Sequence, residues 1–401
     1  MKAQYGQVAV VDNGGFFPES DNQMDAAWFL ADAMKMLNTV AVGTSEHELR
    51  WGLAYLRALV TAKNLPLVSA NLVDPATRKP IFKPYIIGKI GRVRVGFFSV
   101  MSDKVDLGPA RDSLKVEDPA AVATRTIQDM RKKGATVVVL LSQLGKVESE
   151  DLAAAVPGID AVICGHFVPL LEKGHMVKNT VTSYGGEQGQ FVSRTIITLD
   201  AKGAMTTGEN ESFLLGPEIP DKPEIAKVVK DFEDALNAKN RELEKKHAVE
   251  QAQDQSQATD HFLGAELCIR CHADEGKQWK TTAHSLAWQT LVNAKKDADQ
   301  ECIGCHVVGY KQAGGFQTGQ DAPRLSNVQC ENCHGMGTRH QEYSASLKVS
   351  ELACKQCHRP DRDPDFDFAK KLPKIAHSNL SGETIEFMKN KPSTMIKSGS
   401  N

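Results

Sequence analysis

Eight cysteines of this chain stand in four copies of Cys-x-x-Cys-His: Cys268, Cys271 and His272; Cys302, Cys305 and His306; Cys330, Cys333 and His334; Cys354, Cys357 and His358. Two thiols at that spacing can add to both vinyl groups of one porphyrin, and the histidine directly behind them falls under the iron. Zinc sites also use Cys-x-x-Cys but place their histidines several residues away. A disulfide framework leaves the repeated histidine unexplained. The four motifs therefore predict four haem c groups, held covalently, and a protein that handles electrons.

A porphyrin iron has two axial positions, and the motif histidines supply one ligand each. From residue 261 onward the chain holds four more histidines, His261, His284, His340 and His377. That is the number needed to close every iron with a second imidazole. Met336 and Met388 are weaker alternatives, and methionine ligation would raise the potential. Bis-histidine irons at low potential are suited to passing electrons on.

The elements that must position these groups fall in two regions. Residues 7–200 alternate strand and helix patterns. Gln7–Val11, Leu67–Asn71, Ile81–Ile87, Val93–Val100, Asp160–Cys164, Val177–Ser183 and Phe191–Leu199 read as strands, and Gln23–Leu37, His47–Val60 and Pro119–Lys133 as helices. Thr136–Leu141 is a continuous apolar run, as expected of a strand buried on both faces. This is an α/β domain. Pro223–His247 is a charged amphipathic helix with Ile225, Val228, Val229, Phe232, Leu236 and Leu243 near one face. Ala248–Thr259 is rich in Gln, Asp and Ser and reads as a linker. The motif region shows little regular pattern, as expected where a cofactor supplies much of the core. The tail from Ser378 is polar and expected to be mobile. The domain boundaries expected are 1–215, 216–260 for helix and linker, 261–380, and a tail of 381–401.

Composition excludes some functions. The 401 residues are 41% hydrophobic and 24% charged with a net charge of −2, so nothing argues for nucleic acid or an anionic membrane as partner. No apolar run reaches transmembrane length. The ninth cysteine, Cys164, sits behind Ala161-Val162-Ile163 and reads as a small buried hydrophobe. Met1 to Tyr5 leads straight toward a strand-like segment without the apolar stretch of a signal peptide. Haem attachment nevertheless predicts a periplasmic or extracellular protein.

Further motifs surround the Cys-x-x-Cys-His repeats: Trp279-x-x-x-x-His284; Cys330-Glu331-x-Cys333-His334-Gly335-x-Gly337-x-x-His340; and Pro364-x-Phe366-x-Phe368 followed by His377. Over Leu263 to His377 the chain resembles the tetrahaem cytochromes c of nitrifying bacteria and their relatives in metal- and sulfur-respiring bacteria. The resemblance implies the axial pairs His272 with His340, His334 with His377, and His358 with His284. It also implies that the iron on His306 is open in the founding type; His261 is expected to close it here, from the same chain or a neighbouring one, with His247 as rival.

Residues 7–200 resemble the metallophosphatase domain of the secreted 5′-nucleotidases. The likeness lies in Val10-Val11-Asp12-Asn13-Gly14-Gly15, Glu46-His47-Glu48, Ser69-Ala70-Asn71-Leu72, Leu141-Ser142-Gln143-Leu144-Gly145 and Gly165-His166. A two-metal phosphatase needs carboxylate, Asn and His ligands around both ions. Here the family's Asp-x-His has no counterpart, its bridging Asp falls at Gly15, a ligand His at Gln143 and another at Val168. His166 and, as an acid, His47 match. The resemblance therefore implies a degenerate α/β metallophosphatase-like sandwich, without phosphatase activity, followed by a mainly α and irregular multihaem cytochrome c domain. A rebuilt mononuclear site would draw on Asp12, Glu46, His47 and His166. The missing first strand leaves a sheet edge that invites pairing with a second copy.

The expected function is electron transfer in anaerobic respiration to redox partner proteins or an external acceptor, with self-association into a haem chain as its extended form. The competing readings are an oxidoreductase acting on a nitrogen or sulfur oxide at an open second haem, and an active phosphohydrolase with a haem appendage.

Overall fold

The computed structural model describes residues 5, 7–19, 23–186, 189–254, 261–318, 324–338, 349–360 and 362–377. Two compact units divide the chain, Met1–Lys222 and Pro223–Asn401. The charged helix thus belongs to the second unit and is no free-standing connector.

In the first unit the order is β1 (Val10–Asp12), α1 (Met24–Met36), β2 (Thr39–Val42), α2 (Gly52–Lys63), β3 (Leu72–Val73), β4 (Tyr85–Ile90), β5 (Val93–Met101), β6 (Lys115–Val116), α3 (Pro119–Lys132), β7 (Val137–Gln143), α4 (Lys146–Ala155), β8 (Ala161–Cys164), β9 (Met176–Val177), β10 (Thr180–Tyr184), β11 (Phe191–Leu199) and β12 (Met205–Leu214). One six-stranded sheet runs β4-β5-β7-β8-β10-β9. Its four inner strands are parallel, and the two edge strands are antiparallel to their neighbours. The sheet is covered on both faces, because successive residues of a strand point to opposite sides. Phe98, Leu140 and Val162 pack on one face, Phe97, Leu141 and Ala161 on the other. Every residue of β7 is buried, which is why its sequence is a continuous apolar run.

Helix α3 shows how local sequence sets an element. Asp118 caps it, its Oδ1 accepting from the Ala121 N–H at 2.7 Å, and Pro119 opens the first turn. Val122, Ala123, Thr126, Ile127 and Met130 form the buried stripe. Met130 lies directly on Gly96 of β5, where an added Cβ would meet its sulfur at 2.6 Å.

One strand and one helix expectation change, the strands expected from Gln7 and Ile81 start later, at Val10 and Tyr85, and one strand was not foreseen. Leu67–Asn71 forms no ladder strand. It is an extended segment with single bridges from Leu67 to Val42 and from Val68 to Lys83, and Ala70 N–H donates to Ser99 O at 2.8 Å. It thereby links the parallel β1–β2 pair to β5. The helix expected over His47–Val60 starts at Gly52, after a 3-10 turn over His47–Leu49. Strand β12, partner of β11 in a long hairpin, carries Thr, Asn and Glu along its length and gave no apolar alternation to read.

The second unit holds α5 (Pro223–Asp254), α6 (Ala265–Ile269), α7 (Ala273–Trp279), α8 (Ala287–Asn293), α9 (Gln300–His306), α10 (Cys330–His334), α11 (Glu351–Lys355) and α12 (Phe368–Lys371). Helix α5 runs on through the first residues expected as linker; Ala, Glu and Gln there are good helix formers. It is anchored by Asn237 Nδ2 donating to Lys295 O at 2.9 Å and by Arg241 lying 3.3 Å from Asp297. The other helices are a turn or two long, too short to hold alone. Their protein core is small: Phe262, Leu291, Ile303, Val308, Phe316 and Leu325. Among the described residues no helix is long and apolar enough to cross a membrane.

Candidate functional site

Residues 324–334 are the hub of the second unit. Gln329, buried, accepts from the Ala265 N–H at the start of α6 through Oε1 at 2.5 Å and donates through Nε2 to Ser326 O at 2.7 Å. Its side chain and that of Asn332 also form a capping box on α10. Asn332 Nδ2 reaches back to Val307 O at 2.9 Å, just behind His306. Glu331 is 5% exposed, and its carboxylate accepts from the N–H groups of Leu263 at 3.0 Å, Gly264 at 2.8 Å and Gly337 at 2.8 Å. Thus the third motif is tied to the first through Glu331 and Gln329, and to the second through Asn332. Trp279 Nε1 donates to Val328 O at 2.8 Å, and Val328 N–H donates to His284 O at 3.1 Å, which fixes the Trp279-x-x-x-x-His284 segment against the same hub.

Two imidazole pairs result. The rings of His334 and His377 have centroids 6.3 Å apart and planes inclined by 19°. Those of His284 and His358 are 6.1 Å apart at 52°. Near-parallel rings at 6.3 Å are too far apart to touch face to face, since carbon contacts close at about 3.5–4.0 Å. A metal bound to a nitrogen of each ring at about 2.0 Å, with about 1.1 Å from nitrogen to ring centre, separates centroids by about 6.2 Å. The two separations, 6.3 and 6.1 Å, match that width. Burial holds His284 below the usual imidazole range, helped by His358, and burial does the same to His334, helped by His377 and His272. Burial thus favours the neutral, lone-pair form of His284 and His334.

The far nitrogens are occupied as metal-binding histidines require. His306 Nδ1 lies 2.6 Å from Ala287 O, His358 Nδ1 2.7 Å from Asp363 Oδ2, and His377 Nδ1 meets Gln278 Oε1. Gln278 is buried and also donates to Ala376 O at 2.8 Å. These acceptors were missed in the sequence. Only the position of Asp363, five residues past His358, offered a signal.

Thiols from different motifs lie near one another: Cys268 and Cys330 are close enough to perturb each other, as are Cys305 and Cys357. All eight motif cysteines are free of disulfides. His261 is exposed; its N–H donates to Thr338 Oγ1 at 3.4 Å and its Cβ packs over Gly314. His340, Met388 and the tail from Ser378 lie outside the described residues, as does the side chain of His247.

In the first unit the loops at the carboxyl ends of the parallel strands converge, the usual ligand crevice of such sheets. Glu46 Oε1 lies 3.2 Å from His166 Nδ1 and 3.7 Å from His47 Nε2. Asp12 Oδ1 accepts from Gly14 N–H at 2.8 Å, and burial pushes this carboxyl up, partly opposed by that bond. Gln143 Nε2 donates to Asn13 O at 2.5 Å, and Val168 is buried. Glu48 is buried and accepts from Phe16 N–H at 2.8 Å and Ser45 N–H at 2.7 Å, which shapes the turn that carries Glu46 and His47. Gly15 offers no ligand. No three His, Cys, Asp or Glu side chains among the described residues are arranged to hold an ion. This donor set does not fit a metal pair, nor the single ion of the alternative site drawn from Asp12, Glu46, His47 and His166.

Comparison with known proteins agrees with this division. Residues 267–335 match the family model described as cytochrome c554 and c-prime. The chain is 34% identical over 148 residues to cytochrome c-554 of Nitrosomonas europaea, across 32% of this chain and 63% of that one. It is 33% identical over 156 residues to the 2′,3′-cyclic-nucleotide 2′-phosphodiesterase/3′-nucleotidase of Yersinia enterocolitica, across 33% of this chain and 24% of that one. Its fold resembles the 5′-nucleotidase precursor from Thermus thermophilus, with a TM-score of 0.52, 23% identity, and coverage of 59% of this chain and 51% of that one. The chain spans less than two thirds of either curated relative. It joins a 5′-nucleotidase/metallophosphoesterase-like N-terminal region to a C-terminal region similar to cytochrome c554.

Proposed function

We propose that the C-terminal unit is an electron carrier holding four c-type haems. The observation that carries this reading is the pair of imidazole separations, 6.3 Å for His334–His377 and 6.1 Å for His284–His358, each the width of one bis-ligated metal. The eight motif cysteines hold the porphyrins, and each motif histidine supplies a proximal ligand. His340 is the partner proposed for His272, and His261 the one for His306. The haems, when bound, supply one-electron chemistry. The chain's own contribution is to fix the imidazoles of His306, His358 and His377 by their Nδ1 contacts and to bring motifs together through Glu331, Gln329 and Asn332.

The test is a haem count. Mass spectrometry of the native protein should find porphyrin on all four Cys-x-x-Cys-His peptides. The reduced spectrum should be low-spin for at least the irons of His334 and His358. Native protein without porphyrin on these peptides would end the reading. Added cyanide addresses the iron of His306: binding supports an oxidoreductase at an open site, and no binding supports pure electron transfer with His261 as ligand.

The N-terminal unit is, in this reading, a scaffold without phosphatase activity. Gln143 is spent on a backbone bond to Asn13, Val168 is packed into the core, and Gly15 has no side chain to bridge metals. Hydrolysis of nucleotides or cyclic phosphodiesters on addition of divalent metals would overturn this. Covalent haem attachment supports a periplasmic or extracellular location, electron delivery to redox proteins or an external acceptor, and a place in anaerobic respiration. Self-association into a haem chain is its extension; scattering that finds a monomer at high concentration removes that extension.

A further inference from the structure

The acceptors on the far imidazole nitrogens differ in charge. His306 faces a backbone carbonyl, Ala287 O at 2.6 Å, and His377 faces the neutral amide of Gln278. His358 faces a carboxylate, with Asp363 Oδ2 2.7 Å from its Nδ1. The turn after the fourth motif builds this contact. Asp363 N–H donates to Arg359 O at 2.7 Å, and Phe366 N–H donates to Asp363 O at 3.1 Å. The ring of Phe366 then lies on the ring of His358, 4.6 Å between centroids at 17°. The imidazole is held at its edge by a charge and on its face by an aromatic ring. The same turn carries two cations, Arg359 and Arg362, and Arg362 lies 3.6 Å from Glu301.

We infer that Asp363 is a positioning residue that strengthens His358 as a donor and holds the iron of the fourth motif at a lower potential than a neutral acceptor would. The inference rests on the haem reading of this unit. The physical reason is direct. A carboxylate that accepts the Nδ1–H draws the proton's charge toward itself and leaves the opposite nitrogen more basic. A more basic axial ligand, with a negative charge behind it, favours the oxidised iron over the reduced one. The proton stays on Nδ1, so no bond is made or broken. The other described acceptors, being neutral, give no such bias, and the second shell of the chain is therefore graded.

The experiment uses the full haem-loaded chain with Asp363→Asn and Asp363→Glu, titrated potentiometrically with low-temperature electron paramagnetic resonance on each. Asp363→Asn should raise one of the four potentials while the iron stays low-spin. At fixed poise the reduced-to-oxidised ratio of that haem should rise about tenfold, which is about 59 mV for one electron. Asp363→Glu, which keeps the charge, should stay near the native potential. Four unchanged potentials in Asp363→Asn would overturn the inference, and so would equal shifts in both variants, which would mark a purely steric role. Failure of the underlying haem reading shows separately, as missing porphyrin mass on the Cys354–Cys357 peptide of the native chain.

Discussion

The indole of Trp279 donates to the carbonyl of Val328 at 2.8 Å, across a sequence gap of 49 residues. One hydrogen bond thereby couples the segment bearing His284 to the segment that opens the third motif. Trp279→Phe keeps most of the apolar surface and removes the donor with part of the indole ring. Its expected cost is about 1 kcal/mol, read as a lower midpoint in denaturant unfolding of the haem-loaded protein. Because Val328 also donates to His284 O, the low-spin signal of the His358 iron should broaden in the same variant.

Removing a ring from either imidazole pair should open one iron. His377→Ala and His284→Ala are each expected to convert one low-spin haem to a high-spin species that binds cyanide, leaving the others as they were. Absorption and paramagnetic resonance spectra check this. A variant whose spectrum is indistinguishable from the native one would show that the altered histidine is no ligand.

Glu331 answers a different question, namely what holds the first and third motifs together. Its buried carboxylate serves the N–H groups of Leu263, Gly264 and Gly337. Glu331→Ala strands three donors and should cost about 3 kcal/mol. Glu331→Gln keeps one oxygen and should cost less. Calorimetry of the two variants beside the native protein gives the ranking, and equal melting temperatures for all three would contradict it.

Cys164 provides the pH dependence. Burial, with some help from Glu150, pushes its thiol from 9.0 up to about 12, against a hydrogen bond with Ser149. A raised pKa means that the native state keeps its proton while the unfolded chain gives its own up. The stabilisation is complete below pH 9 and drains away as pH climbs from 9 toward 12, at about 1.4 kcal/mol per pH unit for this one group. Cys164→Ala should therefore show a shallower alkaline loss of stability than the native chain, although it is less stable at pH 7 for the atoms removed. In the folded native protein at pH 8 the thiol should resist alkylation and react only on unfolding.

The chemistry of the chain was legible because covalent haem attachment needs fixed local spacing, and four repeats of it leave little else to read. The buried strand over Val137–Gln143 was legible for a similar reason, the apolar run expected over Thr136–Leu141. What sequence hid was contact at a distance. Nothing in the string says that Gln278 reaches His377, 99 positions away, or that Glu331, an unassigned position inside a motif, serves three N–H groups. The pairing of His334 with His377 and of His284 with His358 was suggested by resemblance, and their separations come only from the fold. The alternative of a rebuilt mononuclear site finds Glu46 beside His166 and His47, while Asp12 turns to the Gly14 N–H. Strand β12 hid behind polar side chains, and the helix expected from His47 was cut by the turn that Glu48 holds.

The nearness of Cys268 to Cys330, and of Cys305 to Cys357, bears on how such a polypeptide matures. Sulfurs that neighbour each other in the finished architecture would cross-link the wrong partners if the bare chain adopted it in an oxidising milieu. On the haem reading, thioethers formed before final collapse would keep those sulfurs from pairing with each other.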